Sequence, residues 1–273
     1  MCGLTGIIFG KKERSDRELK FLKDLFTSMF VFSEERGRHA SGLVTLNVDG
    51  NTSLYKVPVC PSKLVFTDGY NRVLSTLDNR TTVILGHSRW KTVGSEFNNN
   101  NNQPLITGKI LGTHNGTIIN ANDLFDKFKF RRKAQVDSEV LFRMADSSLS
   151  NGVLNTNIYR QYLSQCQGHL SFVLASKEDP EHVFIFKGDK PLSLFYNKEL
   201  RVIVYASIGR YILDSLVDKD GWYEVMVEDN NLLSTSFTEF ETLVSEPFSY
   251  IKGFSSKKIK TTKTKQLQKE LFK

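Results

Sequence analysis

The chain opens Met1-Cys2-Gly3-Leu4-Thr5-Gly6-Ile7-Ile8-Phe9, and the reading of this stretch decides the rest. Leu4 to Phe9 is apolar and partly β-branched, which reads as a strand. Removal of the initiator Met leaves Cys2 as the first residue, with a thiol and a free α-amine on one carbon frame. An α-amine titrates at about 8 and a thiol at about 8.5, so the pair exchanges a proton near neutrality without a His or Asp relay. The plain alternative is a cysteine buried as a small apolar strand residue.

Working outward, further strands are expected at Leu43–Val48, Thr82–Gly86, Ile110–His114, Leu170–Ala175, His182–Phe186, Leu192–Tyr196, Val202–Ala206 and Trp222–Val227. These runs are β-branched or aromatic and end at Gly or Asn turn signals. Leu19, Leu22, Leu25, Phe26, Met29 and Phe30 recur at helical spacing, predicting a helix over Arg17–Ser33 capped by Ser15 or Asp16. Helices are also expected at Asn120–Phe128, Asp137–Met144 and Ser150–Gln165. Grouped strands separated by helices favour an α+β arrangement over a βαβ repeat. The asparagines at 98–102, before Gln103-Pro104, read as a loop, either the rim of a pocket or a surface insertion.

With 40% apolar and 25% charged residues, the composition is that of a globular chain rather than a disordered one. Three cysteines without paired spacing argue against both a disulfide framework and a zinc site. No apolar run is long enough to span a bilayer, and no signal peptide is evident, so an intracellular, reducing setting is expected. The formal charge is +7, but residues 254–273 hold seven lysines and one glutamate, leaving the body close to neutral. That segment is expected to be a basic tail, either solvated or docking on an acidic partner. It lacks the interleaved aromatics of a single-strand nucleic-acid surface.

Four polar segments stand out: Arg36-Gly37-Arg38-His39-Ala40-Ser41-Gly42, Gly86-His87-Ser88-Arg89-Trp90-Lys91-Thr92-Val93-Gly94, Gly112-Thr113-His114-Asn115-Gly116 and Val136-Asp137-Ser138-Glu139. Thiol attack on a carbonyl needs donors at the developing oxyanion. The Asn115 amide and the Gly116 N–H are candidates, although Asn-Gly is also a turn signal. Arg89 can pair with a carboxylate in bidentate fashion and Asp137 with an ammonium, together matching the zwitterionic end of an amino acid. Either residue alone is usually a surface ion-pair partner. Trp90 and Thr92 are candidate orienting contacts. His39, His87 and His114 have no ligand spacing, so neither a metal nor a cofactor is expected.

These segments, with the N-terminal Cys-Gly, occur in the order found in class II glutamine amidotransferases, which are N-terminal-nucleophile hydrolases. The chain resembles the glutaminase domain of glucosamine-6-phosphate synthase and amidophosphoribosyltransferase over roughly residues 2 to 210. Lys187-Gly188-Asp189-Lys190-Pro191-Leu192 and Ala206-Ser207 resemble that family's second half. The resemblance implies a four-layer αββα fold with two stacked antiparallel sheets, in a domain over 2–253 followed by the tail at 254–273. It also implies Cys2 as nucleophile, Asn115 and Gly116 as oxyanion hole, Arg89 with Trp90 and Thr92 at the glutamine carboxylate, and Asp137 at its ammonium. The expected reaction is L-glutamine hydrolysis through a cysteine thioester, in the cytoplasm. A separate ammonia-accepting synthetase or transferase is the expected partner.

The chain departs from the family pattern at His39, Lys91 and the Asn98–Gln103 loop. A different N-terminal-cysteine amidohydrolase and a catalytically inactive glutamine-binding regulator remain as alternatives.

Overall fold

The computed structural model describes residues 1–253, and the N-terminal run forms the centre of its first sheet. The expected basic tail at 254–273 lies outside the described residues. Strand β1 (Gly3–Phe9) is followed by helix α1 (Asp16–Phe32), the hairpin β2 (Ala40–Asn47) and β3 (Thr52–Val57), helices α2 (Pro61–Leu64) and α3 (Asp68–Ser75), and β4 (Thr81–Arg89). Then come β5 (Leu105–Thr107), β6 (Ile110–Ile118), α4 (Ala121–Phe128), α5 (Ser138–Asp146), β7 (Leu149–Ser150), β8 (Val153–Leu154) and α6 (Thr156–Leu163). The chain continues through β9 (Gln167–Ser176), β10 (His182–Lys187), β11 (Ser193–Asn197), β12 (Val202–Ala206) and α7 (Gly209–Ser215). It ends in β13 (Trp222–Val225), β14 (Asn231–Ser236), β15 (Val244–Pro247) and β16 (Ile251–Lys252).

Two sheets stack face to face. The first has the order β13-β11-β12-β1-β4-β2-β3, and the second β15-β14-β10-β9-β6-β5, with β16 added parallel to β9. Every other pairing within these sheets is antiparallel. Helices cover both outer faces, giving the expected α+β, four-layer αββα arrangement. The period of two in β1 explains how it serves two layers. Ile7 and Phe9 pack with Leu22, Phe26 and Phe30 of α1, whereas Leu4 and Ile8 pack with Leu111, Val173 and Ile185 of the second sheet. Cys2 falls two residues before Leu4, at the end of the cleft between the sheets.

All the expected strands form, most with longer bounds. The helix expected at Ser150–Gln165 is shorter and begins at Thr156. Its first residues form the β7–β8 hairpin instead, because Asn151 and Gly152 both take positive φ, at 50° and 84°. That is the backbone of a tight two-residue hairpin turn. Asp137 precedes α5 rather than joining it, and Ser15 closes a capping box with Glu18 at the start of α1.

Gly6 is a point of close approach between β1 and its neighbours. A Cβ there would lie 2.4 Å from the Tyr205 ring and 2.5 Å from the Ile84 carbonyl. Tyr205 is fully buried, so the ring has no free volume to enter. Gly6→Ala is therefore expected to cost about 1–3 kcal/mol, read as a lower urea midpoint at unchanged slope. An unchanged midpoint would mean that the Tyr205 ring can give way there at no cost.

Candidate active site

The candidate residues gather where β1 begins and β4 ends on the first sheet, with Asn115 and Gly116 carried within β6 on the second. Gly3 pairs with Ser88 and Ala40 with Arg89, which puts Cys2, Arg89 and Trp90 side by side on the first sheet. His87 Nε2 meets the His114 carbonyl at 3.3 Å, tying the end of β4 to the stretch of β6 that carries Asn115 and Gly116. The Cys2 thiol donates to the Trp90 carbonyl at 3.7 Å. Burial pushes this thiol up from its ordinary value, Arg89 and the N-terminal amine act against that rise, and Asp137 adds to it. The Met1 α-amine is lowered by burial and by the positive charges of Arg36 and Lys190, with Cys2 opposing.

Asn115 is 1% exposed, and its Nδ2 has no hydrogen-bond partner among the described residues. A buried amide donor left open in this way costs stability unless something accepts from it. Gly116 follows with φ at 153°, and an added Cβ would sit 2.0 Å from the His169 carbonyl. Only glycine fits that position.

Arg89 is nearly buried, at 3% exposure. Its Nη1 donates to Asn102 Oδ1 at 2.9 Å, and its Nη2 donates to the Val93 and Gly94 carbonyls at 2.6 and 2.8 Å. Nε has no hydrogen-bond partner among the described residues. Asp137 Oδ2 accepts from the Ile118 N–H at 2.5 Å, so the carboxylate is held at the end of β6 without capping α5. Trp90 is half exposed and meets the His39 ring edge-on at 5.1 Å. Thr92 is exposed, with no hydrogen bond among the described residues, so it stands apart from the cluster.

The reading of the asparagine tract as a surface insertion is overturned. Asn101 and Asn102 are fully buried and Gln103 is 5% exposed, because their amides replace water for the groups around them. Asn101 exchanges bonds with Gln135, whose N–H donates to its Oδ1 at 2.8 Å and whose Oε1 accepts from its Nδ2 at 2.8 Å. Asn102 braces Arg89, while Gln103 contacts both backbone groups of His114 and the Ser138 hydroxyl. The segment 95–103 is thus an arm binding the Arg89 loop to β6 and to the start of α5. Sequence reasoning missed Asn102, Gln103 and Ser138 as supports. The available signal was a dense amide run directly before a proline between two site segments.

Arg36 was also passed over as a site residue. Its Nε donates to the Cys2 carbonyl at 2.8 Å, and its buried Nη2 has no hydrogen-bond partner among the described residues.

The arrangement joins a thiol, open amide donors, a guanidinium and a carboxylate. Chemically, it suits acyl transfer from an amide whose other end is a zwitterion. Comparison with known proteins agrees with that chemistry. A family described as the glutamine amidotransferase domain matches residues 87–214. The 7-cyano-7-deazaguanine synthase of Sulfolobus acidocaldarius is 27% identical over 237 residues, covering 84% of this chain and 48% of that protein. The isomerizing glutamine–fructose-6-phosphate aminotransferase of Lactococcus lactis is 27% identical over 196 residues, covering 70% of this chain and 30% of that protein. The chain therefore spans about half the length, or less, of these relatives.

The structure of glutamine phosphoribosylpyrophosphate amidotransferase from B. subtilis superposes with a TM-score of 0.65 at 23% identity. That match covers 91% of this chain and 49% of the other, and shows the shared fold. The chain is thus similar to glutamine amidotransferases, with the matched domain at residues 87–214, and its two-sheet sandwich is the fold it shares with the solved amidotransferase.

Proposed function

We propose that residues 2–253 form a glutaminase that hydrolyses L-glutamine to L-glutamate and ammonia through Cys2, and that the ammonia passes to a separate synthase. The observation that carries this reading is the buried, open Asn115 amide at the cleft edge shared by Cys2, Arg89 and Asp137. Met1 is 62% exposed, which leaves it open to an aminopeptidase. Once it is removed, the Cys2 α-amine takes the thiol proton, and the thiolate attacks the side-chain amide carbon. Asn115 Nδ2 and the Gly116 N–H donate to the oxyanion. The amine returns the proton to the leaving nitrogen, ammonia departs and a γ-glutamyl thioester remains. Water then attacks the thioester, the thiol is restored and glutamate leaves.

Arg89 pairs with the substrate α-carboxylate and Asp137 with its α-ammonium, fixing which end of the substrate enters first. Trp90 walls the mouth. All three cysteines are free, which suits a reducing cytoplasmic setting. Among the described residues, no helix is long and apolar enough to cross a membrane. The separate acceptor is suggested by relatives named as a synthase and an aminotransferase, each at least about twice as long as the region they share with this chain.

The test is product release from L-glutamine by Met-free protein beside Cys2→Ala. Equal amounts of glutamate and ammonia from the first, and none from the second, are expected. A silent Met-free protein that still binds glutamine would instead support the regulatory alternative.

Arg89→Lys and Asp137→Asn are each expected to raise KM for glutamine roughly 10- to 100-fold, with a smaller change in kcat, since each removes a charge-assisted contact common to ground and transition states. Steady-state kinetics over a glutamine series decides it. A fall in kcat alone would remove both residues from substrate binding.

A further inference from the structure

Lys56 lies on β3, the edge strand of the first sheet, directly opposite Gly42, which is itself opposite His87. The three share a row on the cleft face, because paired residues on antiparallel strands face the same way. Gly42 leaves room there for the arm to cross. A Cβ on it would lie 2.6 Å from the Gln103 carbonyl and 2.5 Å from the Lys56 Cβ. The Lys56 ammonium reaches over this bare backbone and donates to the Asn102 carbonyl at 2.6 Å and to the Pro104 carbonyl at 3.0 Å. The Lys56 carbonyl in turn accepts from Asn99 Nδ2 at 2.7 Å.

This is an unusual use of a lysine on an edge strand, where the ammonium is ordinarily solvated and repels other strands. Here no carboxylate among the described residues pairs with it. Burial alone pushes it down, to about 8. A charge kept in such a place is costly unless its donors are well used. They are used on the two carbonyls that flank Gln103. Asn102 then links the cation to the site, since its backbone carbonyl holds Lys56 while its side-chain Oδ1 holds Arg89 Nη1.

We propose that Lys56 is a positioning residue for glutamine, fixing the arm that holds Arg89 and so setting affinity for the substrate α-carboxylate rather than the reactivity of the thiol. The assignment rests on the glutaminase reading given above. It separates two quantities that a merely structural lysine would move together.

The experiment compares wild type, Lys56→Met and Lys56→Arg by glutamine kinetics. In parallel, peptide mass spectrometry follows alkylation of Cys2 by iodoacetamide, which carries no carboxylate. Lys56→Met is expected to raise KM about tenfold while kcat changes less than about threefold, the signature of lost uniform binding. Its Cys2 alkylation rate should match wild type, and Lys56→Arg should restore most of the affinity. If Lys56→Met does not fold, Lys56→Gln, which keeps two donors without the charge, carries the same comparison. Loss of fold in both variants would assign Lys56 to sheet stability and overturn the proposal. An active wild type with unchanged KM in the folded variant overturns this assignment alone. A wild type without glutaminase activity overturns the underlying reading as well.

Discussion

The Gln103 side chain takes over where a β-ladder stops, and the candidate site is built on that substitution. Leu105 pairs with Gly112, so two more residues in the same register would set residue 103 opposite His114. β5 begins only at Leu105, so the ladder is not continued by the backbone of residue 103. The Gln103 amide supplies both missing bonds, accepting from the His114 N–H at 2.7 Å and donating to the His114 carbonyl at 3.3 Å. It also reaches the Ser138 hydroxyl, which in turn meets His114 Nδ1 at 2.8 Å. Each buried backbone group left open would cost about 1–3 kcal/mol. One side chain therefore stabilises the end of β6, the start of α5 and the arm between them.

The electrostatics of the site follow from that scaffold. Arg36 and Lys190 lie near the N-terminal amine and Arg89 near the thiol, while Asp137 is the opposing negative charge. Burial favours the neutral thiol, the form that has a proton to give up. His87 and His114 are likewise lowered by burial, His87 to about 3, so both are neutral struts rather than acids or bases at neutral pH.

Much of this was legible in the sequence because it resides in residue type and local order. The apolar runs gave the strands of the two sheets, and the Arg17–Ser33 spacing gave α1 nearly to its ends. Cys2, Arg89, Asn115, Gly116 and Asp137 stood out as candidates by residue type and order, without coordinates. What escaped was set by tertiary contact. The edge strand Thr52–Val57 is too polar to declare itself, since only one side of it is covered by a neighbouring strand, and Asn231–Ser236, although paired on both sides, is mostly polar in residue type. The same holds for the β7–β8 hairpin, mistaken for a helical turn. Lys56 carried no local signal at all, because its partners lie 46 to 48 residues away along the chain, and the amide run before Pro104 did not say that Gln103 meets a residue 11 positions on.

The five consecutive asparagines have a consequence for how this gene can drift. A run of one repeated residue is prone to gaining or losing a codon during replication. Only Asn101 and Asn102 are fully buried, and they are counted backwards from Gln103. After the gain of a sixth asparagine, the two places next to Gln103 would still be filled by asparagine, and the surplus would fall on the exposed side at 98–100. The repeat thus makes the arm tolerant of length errors at the one point where a mixed sequence would lose its register.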